Sequence, residues 1–498
     1  MKYESSRGKY QGLTSAEVIK MGIAPDGGLF VPGFIPQLTE EDLVLMQDFS
    51  YQEKAVHILK KFLTDFSSEQ IVNCVNSAYN DQSFDHVDIA PLVALNRTTY
   101  IQELWHGPTC AFKDMALQIL PHLLTTSSLI TGETDEIVIL VATSGDTGKA
   151  ALAGFKDVEN TRIIVFYPEE GVSEVQKRQM ITQEGKNVLV AAVRGNFDDA
   201  QNGVKQIFND RQMGELLKAK HKKMSSANSI NWGRLLPQIV YYIAAYLDLR
   251  QKGIIKKGEK INIVVPTGNF GNILAAFYAG KMGIPINKLI CASNANNVLT
   301  DFIRTGVYDR NRKFEKTISP SMDILISSNL ERLLYELTGH DAGKVSFWME
   351  ELKKSGRYEV DSLTKEKVQE IFWAGFCDDE ATIKTISEVW QEYAYLLDTH
   401  TAVAFNVYRQ YVEKTGDNTV TVIASTASPF KFAGSVASAV LPQELRQDKD
   451  EFQILDLLAS YTGLNIPPGI KDLEKKPVLH KTVCDKDEMK EVVLKFLE

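Results

Sequence analysis

Short apolar runs alternate with longer helical patterns from about residue 136 onward, and this alternation constrains the fold more than any other feature. Residues 136–142 read EIVILVA, residues 162–167 read RIIVFY, and residues 260–265 read KINIVV. Runs this short and this apolar are typical of strands buried on both faces. Helical patterns between them indicate an α/β fold with parallel sheets covered by helices. Further strands are predicted at 187–193, 289–293 and 419–424, and helices at 149–155, 235–249 and 273–282.

The two ends of this pattern read differently. Residues 40–49, 52–62 and 67–78 are mostly helical patterns with charged faces, which predicts a separate N-terminal domain before about residue 95. Residues 310–400 are again helix-rich and charged. A chain of 498 residues exceeds what a single core usually supports, so two to four domains are expected.

Composition excludes several classes of protein. A net charge of −9 disfavours nucleic acid as a general partner. The five cysteines stand far apart and form no CxxC pair, which argues against a disulfide framework and a zinc site and favours a cytoplasmic location. The first residues lack the apolar segment of a secretory signal, and no run approaches the roughly 18 apolar residues of a membrane span.

One lysine stands out by its setting. Residues 106–114 read HGPTCAFKD, which places Lys113 at the start of an apolar helix after a segment rich in turn formers. A lysine that is desolvated by neighbours such as Phe112 can be neutral and nucleophilic, and it can then form an imine with an aldehyde. Asp114 would oppose this effect if it faced the same site. A solvated surface lysine is the alternative.

A glycine-rich loop after a predicted strand indicates an anion site. Residues 266–272 read PTGNFGN and open a helix. Glycines let successive N–H groups converge on one anion, and the helix N-terminus adds favourable partial charge. This suits a phosphate monoester, although a tight turn that binds nothing remains open. The dinucleotide pattern G-x-G-x-x-G is absent.

Two more polar turns follow predicted strands. Residues 143–148 read TSGDTG and could hold a carboxylate, or they could simply cap a helix. They lack the first glycine and the final Ser or Thr of a P-loop, which excludes that motif. Residues 425–429 read STASP, where a hydroxyl could face a pyridine nitrogen or cap a turn. Ligands of open α/β sheets bind at such strand ends.

In combination and in order, these segments resemble the threonine synthase family of fold-type II pyridoxal-phosphate enzymes. The resemblance covers most of the chain, and the matching segments are 25–32 (PDGGLFVP), 106–109 (HGPT), 111–114 (AFKD), 143–148, 228–232 (NSINW) with Arg234, 268–272 and 425–427. It implies two doubly wound α/β domains with a mainly helical N-terminal domain. The implied ranges are 1–95 for the N-terminal domain, 96–135 with 236–498 for a large cofactor-binding domain, and 136–235 for a small domain that closes over substrate.

The resemblance also implies residue roles. Lys113 would form the Schiff base with pyridoxal 5′-phosphate and move protons, and Thr426 would bond the pyridine nitrogen. The cofactor phosphate would be held by Gly268, Asn269, Phe270, Gly271 and Asn272. The substrate carboxylate would be held by Thr143, Ser144, Asp146 and Thr147. Other substrate contacts, including those to its phosphate, would come from Asn228, Ser229, Asn231 and Arg234.

The activity implied by the resemblance is conversion of O-phospho-L-homoserine and water to L-threonine and phosphate, by γ-elimination and β-addition. Alternatives are a related lyase on another phosphorylated amino acid, a serine/threonine dehydratase, a cysteine synthase, or a silent metabolite-binding module. The segment 25–32 favours the first activity. The eight histidines show no metal-ligand spacing. We expect a monomer or homodimer, and no S-adenosylmethionine regulation, because no extension of the plant type precedes the motifs.

Overall fold

The computed structural model describes residues 1–143, 145–170 and 172–498, and its strands form two large sheets. In spatial order, the strands of a six-stranded sheet are 372–376, 286–293, 261–266, 421–425, 99–103 and 92–94, and those of a five-stranded sheet are 482–484, 188–193, 161–168, 136–142 and 222–225. Parallel pairing dominates both sheets, and helices pack on them. The predicted α/β class, with two helix-covered sheets and a mainly helical N-terminal part, is confirmed.

The six-stranded sheet carries most of the loops singled out by the sequence. Its strands are β3 (Leu92–Ala94), β4 (Thr99–Glu103), β9 (Ile261–Pro266), β10 (Ile286–Ser293), β13 (Phe372–Phe376) and β14 (Thr421–Ser425). Strands β4, β14 and β9 are parallel neighbours, and only β3 runs antiparallel, beside β4. Because parallel strands end at the same edge, the segments after β4, β14 and β9 meet there.

Both faces of this sheet are buried, as the apolar runs predict. Ile263 and Val265 of β9 enter one hydrophobic cluster, and Val264 enters another. Alternate side chains of a strand point to opposite faces, so each cluster covers one face. The helices that pack directly on the sheet include α12 (Gly271–Lys281), α13 (Val298–Thr305), α16 (Ser362–Ile371) and α18 (Thr399–Thr415). Helices α5 (Asp114–Leu117), α6 (Leu120–Ile130), α11 (Trp232–Gln251) and α17 (Asp379–Tyr393) pack on other helices of this region.

The five-stranded sheet is parallel throughout. Its strands are β5 (Glu136–Ala142), β6 (Thr161–Pro168), β7 (Val188–Val193), β8 (Lys222–Ser225) and β15 (Thr482–Cys484). The associated helices are α7 (Asp146–Phe155), α8 (Glu174–Ile181), α9 (Phe197–Asn209), α10 (Arg211–Ala219) and α22 (Met489–Leu497). Strand β15 pairs with β7, so the end of the described chain extends this sheet rather than the larger one. This pairing differs from the predicted large domain 236–498, and the predicted domain borders otherwise remain predictions.

The N-terminal part is built from helices with well-formed starts. It contains β1 (Tyr3–Ser5) paired antiparallel with β2 (Phe30–Pro32), and the helices α1 (Ser15–Met21), α2 (Glu40–Met46), α3 (Tyr51–Phe62) and α4 (Ser68–Ala78). A Ser or Thr caps each of the four helices and forms a reciprocal capping box with the residue three positions on. These caps explain why short helices begin at these positions.

The remaining elements lie outside the two large sheets. They are β11 (Val307–Asp309) paired with β12 (Arg357–Glu359), α14 (Leu330–Leu337), α15 (Ala342–Ser355), α19 (Ala433–Val440), α20 (Gln443–Arg446) and α21 (Glu451–Thr462). Short 3₁₀ turns lie at Pro320–Met322, Pro429–Phe432, Leu473–Lys475 and Lys486–Glu488. In the described ranges, no helix has the length and apolar character needed to cross a membrane.

Candidate active site

Lys113 lies at the meeting edge of the large sheet. It caps the short helix α5, and only 9 % of its surface is exposed. Its Nζ donates to Asp146 Oδ2 at 3.3 Å and to Ser321 Oγ at 3.2 Å. Burial lowers the pKa of Lys113; the Asp146 carboxylate opposes this effect, while the positive charge of Lys431 adds to it. A lowered pKa increases the neutral fraction of the amine, which is the form that attacks an aldehyde.

Asp146, rather than the adjacent Asp114, is the carboxylate that contacts Lys113. Asp114 is fully buried and accepts hydrogen bonds from the N–H and hydroxyl of Thr109, at 2.8 and 2.6 Å. It therefore holds the turn before the lysine. The possibility that Asp114 faces the amine is not realised among the hydrogen bonds and ion pairs of the described residues.

Four side chains contact the Asp146 carboxylate, three from loops beside the larger sheet and one from helix α8 beside the smaller sheet. Lys113 and Ser321 bond its Oδ2, and Lys431 Nζ lies 3.0 Å from its Oδ1, which also accepts from Gln176 Nε2 at 2.8 Å. Burial by itself raises the pKa of this carboxyl, but the charges of the two lysines outweigh burial and hold the pKa well below its usual range. Asp146 is thus an ionised, fully engaged carboxylate that joins α7 of the smaller sheet to the large-sheet loops.

The turn that contains Asp146 is closed on itself. The Thr143 hydroxyl accepts from the N–H groups of Gly145 and Gly148, at 3.0 and 2.9 Å. A Cβ on Gly148 would lie 2.3 Å from Thr143 Cγ2, so this close approach requires glycine. Thr147 is partly exposed in the first turn of α7, and Ser144 lies outside the described residues.

The glycine loop, residues 267–272, connects β9 to α12. Phe270 adopts the left-handed conformation with φ of 65°, and a Cβ on Gly268 would lie 2.9 Å from the Ser321 carbonyl oxygen. Ser327 Oγ donates to the Gly268 carbonyl at 2.7 Å, and the Asn329 side chain donates to the Asn269 carbonyl at 3.0 Å. These bonds hold the loop carbonyls away from the helix N-terminus.

The donors of this loop fit a phosphate group. No described residue accepts from the N–H groups of Asn269, Phe270, Gly271 or Asn272, as is usual for the first turn of a helix. Asn272 is buried, and its Nδ2 also has no partner within the described parts of the chain. Buried donors normally have acceptors. The pyridoxal 5′-phosphate predicted here would supply phosphate oxygens to them.

Thr426 is brought next to the lysine segment by backbone pairing. The Phe112 N–H donates to the Thr426 carbonyl at 2.8 Å, and Ala111 forms an antiparallel bridge with Ala427. Thr426 is 5 % exposed at the end of β14. The backbone that precedes Lys113 therefore runs beside Thr426, in the loops that follow β4 and β14.

The 228–234 segment lies near the glycine loop, to which Ser229 is connected through Ser328. Arg234 is 4 % exposed, its Nη1 donates to the Ala227 carbonyl at 2.8 Å, and its Nε is buried with no partner among the described residues. Burial lowers the pKa of Arg234 to about 10, so the guanidinium stays charged at neutral pH. Ser229 Oγ lies 3.4 Å from Ser328 Oγ, which donates to the Asn269 side chain at 3.3 Å.

Two other predicted substrate residues of this segment are placed differently. Asn231 caps α11: its Oδ1 accepts from the Gly233 N–H at 2.8 Å, and its Nδ2 donates to the Ile19 carbonyl at 3.0 Å. Both ends of this amide are therefore engaged by the fold. Asn228 is exposed on the surface.

His106 begins the segment that leads to Lys113. Its Nδ1 lies 2.6 Å from Asp85 Oδ1, and its Nε2 lies 2.9 Å from Glu103 Oε2. Burial lowers the pKa of His106, but the two carboxylates outweigh burial and raise it to about 9. The imidazolium thus ties the end of β4 to residue 85 and supports the turn.

Three residues of the site were missed by the sequence analysis. Lys431 is fully buried and also donates to the Thr109 carbonyl at 2.7 Å. The only sequence signal was its place in the apolar run 429–432 after a strand end. Ser321 and Gln176 had no distinguishing pattern, since their roles depend on contacts with Asp146. Within the described residues, no group of three or more His, Cys, Asp or Glu could hold a metal ion.

Comparison with known families covers nearly the whole chain. Models described as "Threonine synthase N terminus", "Pyridoxal-phosphate dependent enzyme" and "Threonine synthase, C-terminal" match residues 2–79, 84–426 and 401–493. The threonine synthase of Pseudomonas aeruginosa is 38 % identical over 444 residues, covering 89 % of this chain and 91 % of that protein. Human threonine synthase-like 1 is 39 % identical over 486 residues, covering 96 % of this chain. This chain spans only 63 % of that relative's length.

Solved structures give the same result. The PLP-bound threonine synthase from Brucella melitensis has a TM-score of 0.89 at 35 % identity, with full coverage of both chains. The yeast threonine synthase has a TM-score of 0.87 at 32 % identity, covering 100 % of this chain and 98 % of that one. The predicted cofactor, pyridoxal 5′-phosphate, is confirmed by these matches. The chain therefore belongs to the threonine synthase family of pyridoxal-phosphate-dependent enzymes.

Proposed function

We propose that this chain is a threonine synthase, a lyase that converts O-phospho-L-homoserine and water to L-threonine and inorganic phosphate. One observation supports the proposal: a buried lysine of lowered pKa is accompanied by two sets of buried donors, Asn272 Nδ2 with the glycine-loop N–H groups and Arg234 Nε, that have no acceptor among the described residues. One set is the glycine loop with Asn272, and the other is Arg234. A cofactor phosphate and a substrate phosphate need one set each.

The proposed roles follow from these positions. The N–H groups of the glycine loop and Asn272 Nδ2 hold the cofactor phosphate, and the Thr426 hydroxyl bonds the pyridine nitrogen. Pyridoxal phosphate, when bound, supplies the electron sink for charge that develops at the substrate carbon. Lys113 Nζ removes and returns protons at the substrate carbons, which its lowered pKa supports.

In this proposal, separate groups of the protein bind the phosphate and the carboxylate of the substrate. The Arg234 guanidinium, with Ser229 beside it, binds the substrate phosphate, since a planar fork of donors suits phosphate oxygens. The N–H groups of the 143–148 turn hold the substrate carboxylate. The side chain of Asp146 would repel a carboxylate, so in this proposal it serves Lys113 and Lys431 instead.

Two further observations concern the location of the protein and a second candidate function. The five cysteines are all free and buried, which supports a reducing, cytoplasmic location. The similarity to threonine synthase-like 1 favours a second candidate, a related lyase that acts on another phosphorylated amino acid.

The test is incubation of the pyridoxal-phosphate-loaded protein with O-phospho-L-homoserine, following phosphate and threonine together. Equal amounts of both support the synthase. Phosphate with a keto acid instead indicates a dehydratase-like lyase, and neither product directs the assay to other phosphorylated amino acids. Lys113→Ala should abolish turnover, because the amine proposed to move these protons is lost; residual threonine formation would contradict its role.

A further inference from the structure

Two adjacent tyrosines of α11 meet the side chain of Asn272. Tyr241 and Tyr242 are fully buried in the middle of this long helix. The Tyr241 phenol donates to Asn272 Oδ1 at 2.7 Å, and the Tyr242 phenol donates to the same oxygen. Tyr241 also lies within reach of Gln238 Oε1, at 3.1 Å. Among the described residues, Asn272 is the one acceptor of the Tyr242 phenol.

These contacts determine which end of the amide is free. A phenol can donate one proton, and burial raises the pKa of both tyrosines well above the usual value, which keeps them protonated. With its oxygen held by phenols, Asn272 retains only Nδ2, a donor that no described residue accepts from. The reverse orientation would place an amide oxygen in the first turn of α12, where it would repel a phosphate.

We propose that Tyr242, together with Tyr241, is a positioning residue that fixes the Asn272 amide so that Nδ2 donates to the cofactor phosphate. The tyrosines would not touch the cofactor; they act through Asn272. The inference rests on the proposed placement of the phosphate at the glycine loop. It follows from this proposal that affinity for the cofactor phosphate depends on two phenols of helix α11, which contact Asn272.

The experiment compares two ligands that differ only in the phosphate. Binding of pyridoxal 5′-phosphate and of pyridoxal to the full-length apoprotein is measured by absorbance titration and equilibrium dialysis. Tyr242→Phe should weaken pyridoxal-phosphate binding about fivefold, the size of the one neutral phenol–amide hydrogen bond that it removes, and leave pyridoxal binding unchanged. A general packing defect would weaken both ligands alike.

A matched control lies one turn further along the same helix. The phenol of Tyr246 is buried and donates a hydrogen bond to no described residue. Tyr246→Phe removes the same atom from the same helix, and it should leave the affinity for both ligands unchanged. Melting curves of the apoproteins report any loss of folding in either variant.

A double-mutant cycle with Asn272→Ala identifies the route of the effect. If Tyr242 acts through Asn272, the effect of Tyr242→Phe should vanish in the Asn272→Ala background. Additive effects, or equal losses for pyridoxal and its phosphate, would overturn the inference. Asn272→Asp provides a variant that keeps an acceptor for the phenols; it should weaken pyridoxal-phosphate binding at least about a hundredfold and spare pyridoxal.

These outcomes separate the inference from the proposed function. If Asn272→Ala leaves pyridoxal-phosphate binding unchanged, the phosphate is not held by this amide and the inference is overturned. If the binding results are as expected but no threonine forms from O-phospho-L-homoserine, the positioning role stands and only the proposed reaction fails.

Discussion

Removing the Lys431 ammonium should destabilise the protein more than any surface charge does. Lys431 is fully buried; its Nζ lies 3.0 Å from Asp146 Oδ1 and donates to the Thr109 carbonyl at 2.7 Å. Lys431→Met retains most of the side-chain volume and removes only the charge and its donors. The substitution therefore isolates the electrostatic contribution of this contact.

The expected loss of unfolding free energy depends on the hydrogen bonds that Asp146 retains in the variant. Removing one partner of a buried ion pair costs about 3–5 kcal/mol, because the other charge is left without compensation. Asp146 would still accept from Lys113, Ser321 and Gln176. We therefore expect the low end, a loss of about 3 kcal/mol in the free energy of unfolding.

Urea unfolding of the apoprotein measures this loss, provided that the slope with denaturant stays unchanged. Lys354→Met is the control, because Lys354 pairs with Glu350 at 3.4 Å with both side chains largely exposed; it should change the unfolding free energy by less than about 0.5 kcal/mol. Lys431 also lowers the pKa of Lys113, so its removal should shift cofactor capture by Lys113 to higher pH. Equal stability losses in the two variants, or an unmoved capture profile, would refute the reasoning.

Two further predictions concern the turns before and opposite Lys113. The folded pKa of His106, about 9, exceeds the ordinary value of 6.5. Its contribution is therefore complete below about pH 6.5 and is lost as the pH rises through about 9. The stability difference between wild type and His106→Gln should thus shrink by about 2–3 kcal/mol between pH 6 and pH 10 in urea unfolding; a constant difference would contradict this. Gly148→Ala should force the turn off Thr143, at a cost of about 1–3 kcal/mol, and raise KM for the substrate while leaving cofactor affinity unchanged. Gly214→Ala, where a Cβ meets nothing within 4 Å, is the control, and matching results for both alanine variants would contradict the steric argument.

The strands that the sequence predicted are those buried on both faces. Strand β5 coincides with the predicted run, and β6 and β7 begin within one residue of prediction. The missed strands were edge or near-edge elements such as β8 (KKMS) and β15 (TVC), whose residues carry no apolar run. Edge strands need not be apolar on both faces, and β15 is fixed by pairing with β7, far away in the chain. The residues of β15 alone do not indicate a pairing partner so distant in the sequence.

In the candidate site, likewise, residues with a local sequence signal could be predicted, and residues whose roles depend on distant contacts could not. Lys113, the glycine loop and the 143–148 turn could be found because turn chemistry and strand ends are local signals. Asn231 shows the limit of this approach: the family resemblance assigned it to substrate and the helix was predicted to begin at 235, whereas the residue caps a helix that begins at Trp232. Asparagine before a helix is a strong capping signal, and the correct start would have indicated this role.

Charge pairing in the interior lies beyond any local signal. Asp146 was assigned to the substrate carboxylate because it belongs to a turn of suitable shape. The described structure instead gives its carboxylate four donors, two of them lysines from the large-sheet loops. A carboxylate already engaged in this way has no donor to offer an anionic substrate, whereas it can orient the amine of Lys113. We therefore propose that the aspartate orients Lys113, while the substrate carboxylate is bound by backbone N–H groups of the turn other than those of Gly145 and Gly148, which Thr143 engages.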